Sequence, residues 1–172
     1  MTLATSQGRR RLALAARVSL ISLALVAVAA ALAPSFVWNP TSSLPRGLYR
    51  LDRRAPIVRG AVVSFAPPPQ AVALIAERRY LPPGARLLKI VVGLPGDDVL
   101  IDETLFSVNG RTVGAVARHD SAGRPLTPAR FSGTLPPGFA AVATPARLSF
   151  DSRYFGPVPL STLTVAVPVW TY

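Results

Sequence analysis

Leu87-Leu88-Lys89-Ile90-Val91-Val92, followed at once by Gly93-Leu94-Pro95-Gly96-Asp97-Asp98, is the stretch on which the fold turns. A short continuous apolar run that stops at a Gly/Pro/Asp cluster has strand character and ends in a turn. Inside it stands Lys89, the only lysine in a chain of 172 residues whose other long basic side chains are all arginine. Arginine cannot give up its proton. Burial lowers a lysine pKa by as much as ~3–5 units, enough to leave a neutral amine near neutral pH. The alternative is a strand-end lysine that snorkels its amine to water; apolar neighbours on both sides favour burial.

Outward from this strand the same grammar repeats. Residues 60–65 read as a strand closed by Pro67, Pro68 and Pro69, residues 71–79 have helical character, and Pro82-Pro83-Gly84 is expected to end that helix. Residues 99–101 form another strand. Phe106-Ser107-Val108, Asn109-Gly110 and Arg111-Thr112-Val113 make a strong hairpin signal. Residues 115–134 show no period and read as a loop or insertion, while 139–144 and 163–170 are further strands. The domain is expected to be mainly β.

Toward the N-terminus, residues 1–17 carry Arg9, Arg10, Arg11 and Arg17, and residues 18–38 are almost wholly apolar and uncharged. At ~1.5 Å per residue a helix over that run matches the ~30 Å hydrocarbon core of a bilayer. The positive-inside rule keeps the arginine end cytoplasmic. The expected division is a cytoplasmic tail (1–17), a transmembrane anchor (18–38) and an extracytoplasmic domain (39–172), periplasmic in a bacterium. Ala31-Leu32-Ala33 also resembles a small-x-small cleavage site. Pro34 just past the cut and the apolar continuation through Phe36, Val37 and Trp38 favour a retained anchor, with Trp38 in the interfacial aromatic belt.

Composition closes several routes. With no cysteine there is no disulfide framework, thiolate nucleophile or cysteine-bound zinc. The one histidine, His119, sits beside Asp120 in a turn-rich segment and reads as a surface residue, so neither a histidine triad nor a metal site is expected, and no cofactor is implied. The formal charge of +11 comes from scattered arginines without an aromatic-interleaved stripe, which disfavours nucleic acid as a partner.

Asn39-Pro-Thr-Ser-Ser-Leu-Pro-Arg-Gly-Leu-Tyr49 then supplies a candidate nucleophile, Ser43, with a second hydroxyl at Thr41 and a backbone shaped by Pro45 and Gly47. By composition alone it would pass as a linker. Near the C-terminus, Ser149-Phe-Asp-Ser-Arg-Tyr-Phe-Gly-Pro-Val158 offers Asp151 and Arg153 as a structural ion pair, and Ser149 as a hydroxyl able to orient a neutral amine.

These three stretches together resemble one family. Asn39, Thr41, Ser43, Pro45, Gly47 and Tyr49 match the alternating pattern of the TraF-type conjugal transfer peptidases, a branch of the type I signal peptidases. Lys89 with Gly93-Leu94-Pro95-Gly96-Asp97 resembles the lysine box of that superfamily, and residues 151–158 resemble its C-terminal box. The resemblance implies a coiled, mostly antiparallel β-fold and a Ser/Lys peptidase, with Ser43 as nucleophile and Lys89 as general base. It also implies that the Thr41 hydroxyl and the Ser43 amide form the oxyanion hole, that Ser149 orients the lysine, and that Asp151 and Arg153 support the wall. Ala143-Thr144-Pro145-Ala146, Ile90 and Gly60-Ala61 depart from the general signal peptidase pattern and weaken that assignment, while the Asn39 to Tyr49 pattern favours the conjugation branch. For that branch the resemblance implies a pilin-like precursor as substrate, a type IV secretion and mating-pair apparatus as partner, the bacterial inner membrane as location, and either hydrolysis or cyclisation as outcome. The rival readings are a general signal peptidase that removes leader peptides and a non-catalytic, membrane-anchored β-scaffold.

Overall fold

The computed structural model describes residues 3–32 and 35–172, and within the first helix the side chains of residues 11, 12, 14–29 and 31. The chain divides into two compact units, Met1–Phe36 and Val37–Tyr172.

The first unit holds helix α1, Leu3–Leu32, a 30-residue helix rich in Ala, Leu and Val. Leu12, Leu20, Leu23 and Leu25 are all exposed, as are Ile21 and Val26, so the apolar side chains do not gather on a single face. Counting the described residues alone, no helix is long and apolar enough to cross a membrane. The helix also differs in extent from the apolar run: it begins at Leu3, inside the arginine-bearing segment, and stops at Leu32. In the sequence Pro34 follows two residues later, and a proline lacks the N–H that a helical ladder needs. Phe36, Val37 and Trp38, expected as the end of the anchor, instead belong to strand β1, Phe36–Asn39.

The second unit is built on a seven-stranded sheet in the order β1-β2-β11-β3-β4-β9-β10. Its members are β2 (Gly47–Asp52), β3 (Val62–Phe65), β4 (Leu87–Gly93), β9 (Phe139–Ala143), β10 (Val158–Pro159) and β11 (Thr164–Thr171). A four-stranded sheet, β7-β6-β5-β8, carries β5 (Asp98–Ile101), β6 (Leu105–Val108), β7 (Arg111–Ala115) and β8 (Phe131–Thr134). Every strand pair from β2 to β11 with a defined register is antiparallel. The fold is mainly β, as expected. The β6–β7 hairpin also forms, with Asn109 and Gly110 at φ of 50° and 71°, the pair of positive angles that a two-residue Asn-Gly turn needs.

Strand β4 lies between β3 and β9, and its register sets the site. Val63 stands opposite Lys89 and Ser64 opposite Leu88, so Lys89 shares a face with Val63, Leu87 and Val91. That face packs on helix α2 (Pro69–Arg78), through Ala71 and Ile75, and on Phe155. The other face, through Leu88 and Ile90, packs on Leu44, Tyr49 and Ala166. The small sheet packs on β9 through Val99, Phe106, Leu135, Ala141 and Ala143.

Two local endings differ from expectation. Helix α2 stops at Arg79, whose backbone enters the left-handed region (φ 54°) and caps the helix with its own N–H, before Pro82-Pro83-Gly84 is reached. Residues 115–134, read as a loop, end in β8, which pairs with β5 from Asp98↔Thr134 to Ile101↔Phe131. Phe131-Ser-Gly-Thr134 is a weak strand sequence, since Ser and Gly carry little strand preference and only Phe131 brings a large apolar side chain.

Candidate active site

Between β1 and β2 the chain makes a tight turn that presents Ser43, and Asn39 sits at its centre. Asn39 is buried, and its Nδ2 donates to the carbonyls of Leu44 (3.1 Å) and Pro45 (3.0 Å). Its Oδ1 accepts from the Thr41 amide (3.2 Å) and the Thr41 hydroxyl (2.8 Å). Thr41 Oγ1 in turn lies 3.3 Å from Ser43 Oγ. The Tyr49 hydroxyl closes the turn from β2 by donating to the Pro45 carbonyl at 2.7 Å. Gly47 has the one backbone position in the turn where a side chain cannot fit: at φ 141°, a Cβ would stand 2.0 Å from the Trp170 carbonyl oxygen of β11. The alternating motif thus maps onto polar clamps (Asn39, Thr41, Tyr49) and a close strand crossing (Gly47).

Lys89 comes to the same place from the sheet. Its side chain is only 4% exposed, and Nζ donates to Ser149 Oγ at 2.9 Å. Burial pushes the amine down to about 8 from the ordinary 10.5, against the attraction of Asp151 and with a smaller contribution from Arg153. The amine is therefore half neutral at about pH 8.

Asp151 and Arg153 lie behind this pair, both fully buried. Asp151 caps the short helix α3 (Ser152–Phe155) by accepting from the Arg153 amide, and pairs with the Arg153 guanidinium at 3.2 Å. Burial pushes the Asp151 carboxyl up, opposed by Arg153, Lys89 and the Ser149 hydroxyl. Arg153 donates further to the carbonyls of Thr144 (3.1 Å) and Ala146 (3.2 Å). The ion pair therefore holds Thr144 and Ala146, in the stretch that leads to Ser149.

Ser43, Thr41, Lys89 and Ser149 line one cavity of about 240 Å³. Ser43 and Lys89 share it without a hydrogen bond to each other, because the serine faces Thr41 and the lysine faces Ser149. The rest of the lining is largely apolar, including Leu81, Leu126, Leu148 and Phe150. Among the described residues no cluster of side chains is suited to hold a metal ion.

Sequence reasoning missed the wall contributed by the segment before β8. Asp120, read as a loop neighbour of His119, is buried and accepts from Tyr80 Oη (2.6 Å), Arg124 Nε (2.8 Å) and the amides of Ala122 and Arg124 (both 2.9 Å). Burial opposes charge there, but these hydrogen bonds outweigh it and hold the carboxyl below its usual range. The hub pins residues 116–126 against Tyr80 beside the cavity. An aspartate at the start of Asp-Ser-Ala-Gly-Arg124 was a readable turn signal, but its long-range partner Tyr80 was not.

A mainly β domain in which a serine turn and a buried lysine line one cavity defines a class by its fold and its site. Within that class the chain belongs to the signal peptidase, peptidase S26 family, whose match runs over residues 10–171. It is 39% identical over 145 residues to the conjugal transfer protein TraF of Agrobacterium fabrum, covering 78% of this chain and 81% of that protein. A plasmid transfer protein TraF of Escherichia coli is 39% identical over 161 residues, covering 86% and 89%. A probable conjugal transfer protein TraF of Sinorhizobium fredii is 35% identical over 173 residues, covering 89% of each. Among solved structures, a signal peptidase I from Enterococcus faecalis V583 matches with a TM-score of 0.40 and 26% identity, over 68% of this chain and all of that one.

Proposed function

We propose that this chain is a membrane-anchored serine endopeptidase that uses Ser43 and Lys89 to process a pilin-like precursor for conjugative transfer through a type IV secretion apparatus. The observation that carries the reading is Lys89: a lone lysine, buried in a β-core, with its pKa pushed down to about 8, hydrogen-bonded to Ser149 in the cavity that Ser43 also lines. The relatives named for conjugal and plasmid transfer support the biological setting. The uncharged, apolar sequence of residues 18–32 and the arginines that precede it support an inner-membrane anchor, with the arginine-bearing end in the cytoplasm and the β-domain in the periplasm.

In this mechanism Ser43 turns its hydroxyl from Thr41 toward the neutral Lys89 amine. Its oxygen attacks the substrate carbonyl as the amine takes its proton. The Thr41 hydroxyl and the Ser43 amide stabilise the oxyanion, a contribution of roughly 2.7–4 kcal/mol for each such donor. The Lys89 ammonium then gives the proton to the departing amine, leaving an acyl-enzyme on Ser43. Water releases a linear product, and the substrate's own amine releases a ring. Ser149 orients the lysine while Asp151 and Arg153 hold the segment that carries Ser149. The apolar lining suits small side chains near the cut, presented by a precursor that adds to a strand edge.

The test compares wild type with Ser43→Ala in membranes containing a co-expressed pilin precursor, with product masses determined. Ser43→Ala is expected to leave the precursor uncut, and a product lighter by one water than the linear form identifies cyclisation. Activity of the wild type is expected to rise with pH through about 8 as Lys89 loses its proton. Processing by Ser43→Ala, or a flat profile down to mildly acid pH, overturns the Ser/Lys reading.

A further inference from the structure

We infer that Asn39 is a positioning residue for the nucleophile turn, acting through the hydroxyl proton of Thr41. The inference rests on the Ser43/Lys89 reading and extends it to a residue to which neither the sequence nor the family pattern gave a role.

The argument is one of donors and acceptors. An amide side chain has two N–H donors on one side and a carbonyl acceptor on the other. One end of the Asn39 amide faces two backbone carbonyls, those of Leu44 and Pro45, which can only accept. That end must be nitrogen. The other end faces the Thr41 backbone N–H, which can only donate, so it must be oxygen. The orientation of the amide is thus fixed by its partners. The Thr41 hydroxyl, 2.8 Å from Oδ1, must then give its proton to Asn39. Its oxygen is left with lone pairs alone to offer Ser43 at 3.3 Å, so in that contact Ser43 is the donor.

Two consequences follow. At rest the Ser43 proton points at Thr41 and away from Lys89, whose own proton points at Ser149. For Thr41 to serve the oxyanion, its hydroxyl must swing from Asn39 Oδ1 to the new oxygen. Asn39 keeps the Thr41 amide and the two turn carbonyls bonded while it does so. Asn39 therefore sets where the Thr41 hydroxyl starts and keeps the turn in place during the swing. All four of its hydrogen-bonding positions are used, and none is spent on a residue outside the turn.

The test uses the full chain in detergent and a fluorescence-quenched peptide with small residues on both sides of the cleavage point. Asn39→Ala is expected to lower kcat about tenfold to a hundredfold with KM nearly unchanged, because all of its hydrogen bonds are made within the turn. Thr41→Val is expected to lower kcat by a similar or larger factor. In Thr41→Val the further change Asn39→Ala should lower kcat by no more than about threefold, since the hydroxyl it acts on is gone. Asn39→Asp keeps the acceptor for Thr41 and loses the donors to Leu44 and Pro45, and should retain more kcat than Asn39→Ala. Independent, multiplying losses in the double variant overturn the inference. So does wild-type kcat in Asn39→Ala, or failure of both Asn39 variants to fold, which makes the residue purely structural. Ser43→Ala run alongside separates the two levels: activity there removes the Ser/Lys reading itself, whereas an inactive Ser43→Ala with a fully active Asn39→Ala removes only the role of Asn39.

Discussion

The turn that presents Ser43 and the strand that presents Lys89 meet at one cavity but are held by different forces. The turn alternates exposed and buried residues; Leu44 and Tyr49 anchor it in the core, and its shape rests on directed hydrogen bonds from Asn39 and Tyr49. The strand is covered on both faces by core side chains, and the position of Lys89 follows from the registers of β3 and β9. Single hydrogen bonds contribute about 0.5–1.5 kcal/mol each, so the turn can be loosened one bond at a time. Burial of the lysine is all of a piece, and the same burial that positions the amine also lowers its pKa.

The largest effect should come from the strand side. Lys89→Met removes the general base of the proposed mechanism and is expected to cost at least about a hundredfold in rate, the low end for acid–base catalysis. Its stability should move the other way. The unfolded chain keeps the lysine proton up to about 10.5 and the folded chain releases it near 8, so the folded state is disfavoured below that window and wild-type stability rises with pH through it. At pH 7 Lys89→Met should be more stable than wild type by about 1–3 kcal/mol, and its melting temperature should lose the rise between pH 8 and pH 10.5. A less stable Lys89→Met with unchanged pH dependence would contradict burial as the cause of the shifted pKa.

Next in size, Gly47→Ala should strike the turn and spare the strand. The added Cβ would meet the Trp170 carbonyl at 2.0 Å in a backbone region unfavourable to L side chains. A loss of about 3 kcal/mol or more is expected, with hydrogen exchange rising in β2 and β11 while β4 amides stay protected. Equal loss of protection in β4 would show that the two halves unfold as one.

Smallest is Tyr49→Phe, which deletes one bond to a carbonyl that Asn39 also serves. Stability should fall by about 1 kcal/mol, and turnover by a few-fold. A loss as large as that of Asn39→Ala would shift the centre of the turn from Asn39 to Tyr49.

Much of this division was visible in the residues. The apolar run around Lys89 and the Asn-Gly turn announced strands because their signals are local, and the lone lysine stood out by its chemistry. The Asn39 to Tyr49 stretch announced a serine turn, yet gave no sign of strand β1 before it: Phe36, Val37 and Trp38 continue an apolar run, and only Pro34 hints that helix cannot extend to them. On β1, Trp38 stacks on Trp170 at 6.1 Å, a pairing between residues far apart in the chain that no local pattern reveals. The same is true of Asp120 and Tyr80. Strand β8 escaped notice for the opposite reason, since its neighbours in β5, not its own residues, make it a strand.

Because the buried amine beside Ser149 belongs to the only lysine of the chain, the protein carries its own isotopic reporter. Grown on lysine labelled at the ε-carbon, it would give one side-chain resonance in a magnetic resonance spectrum, free of overlap and of assignment. The titration of that single line would follow the protonation of the cavity directly, with or without a substrate in place.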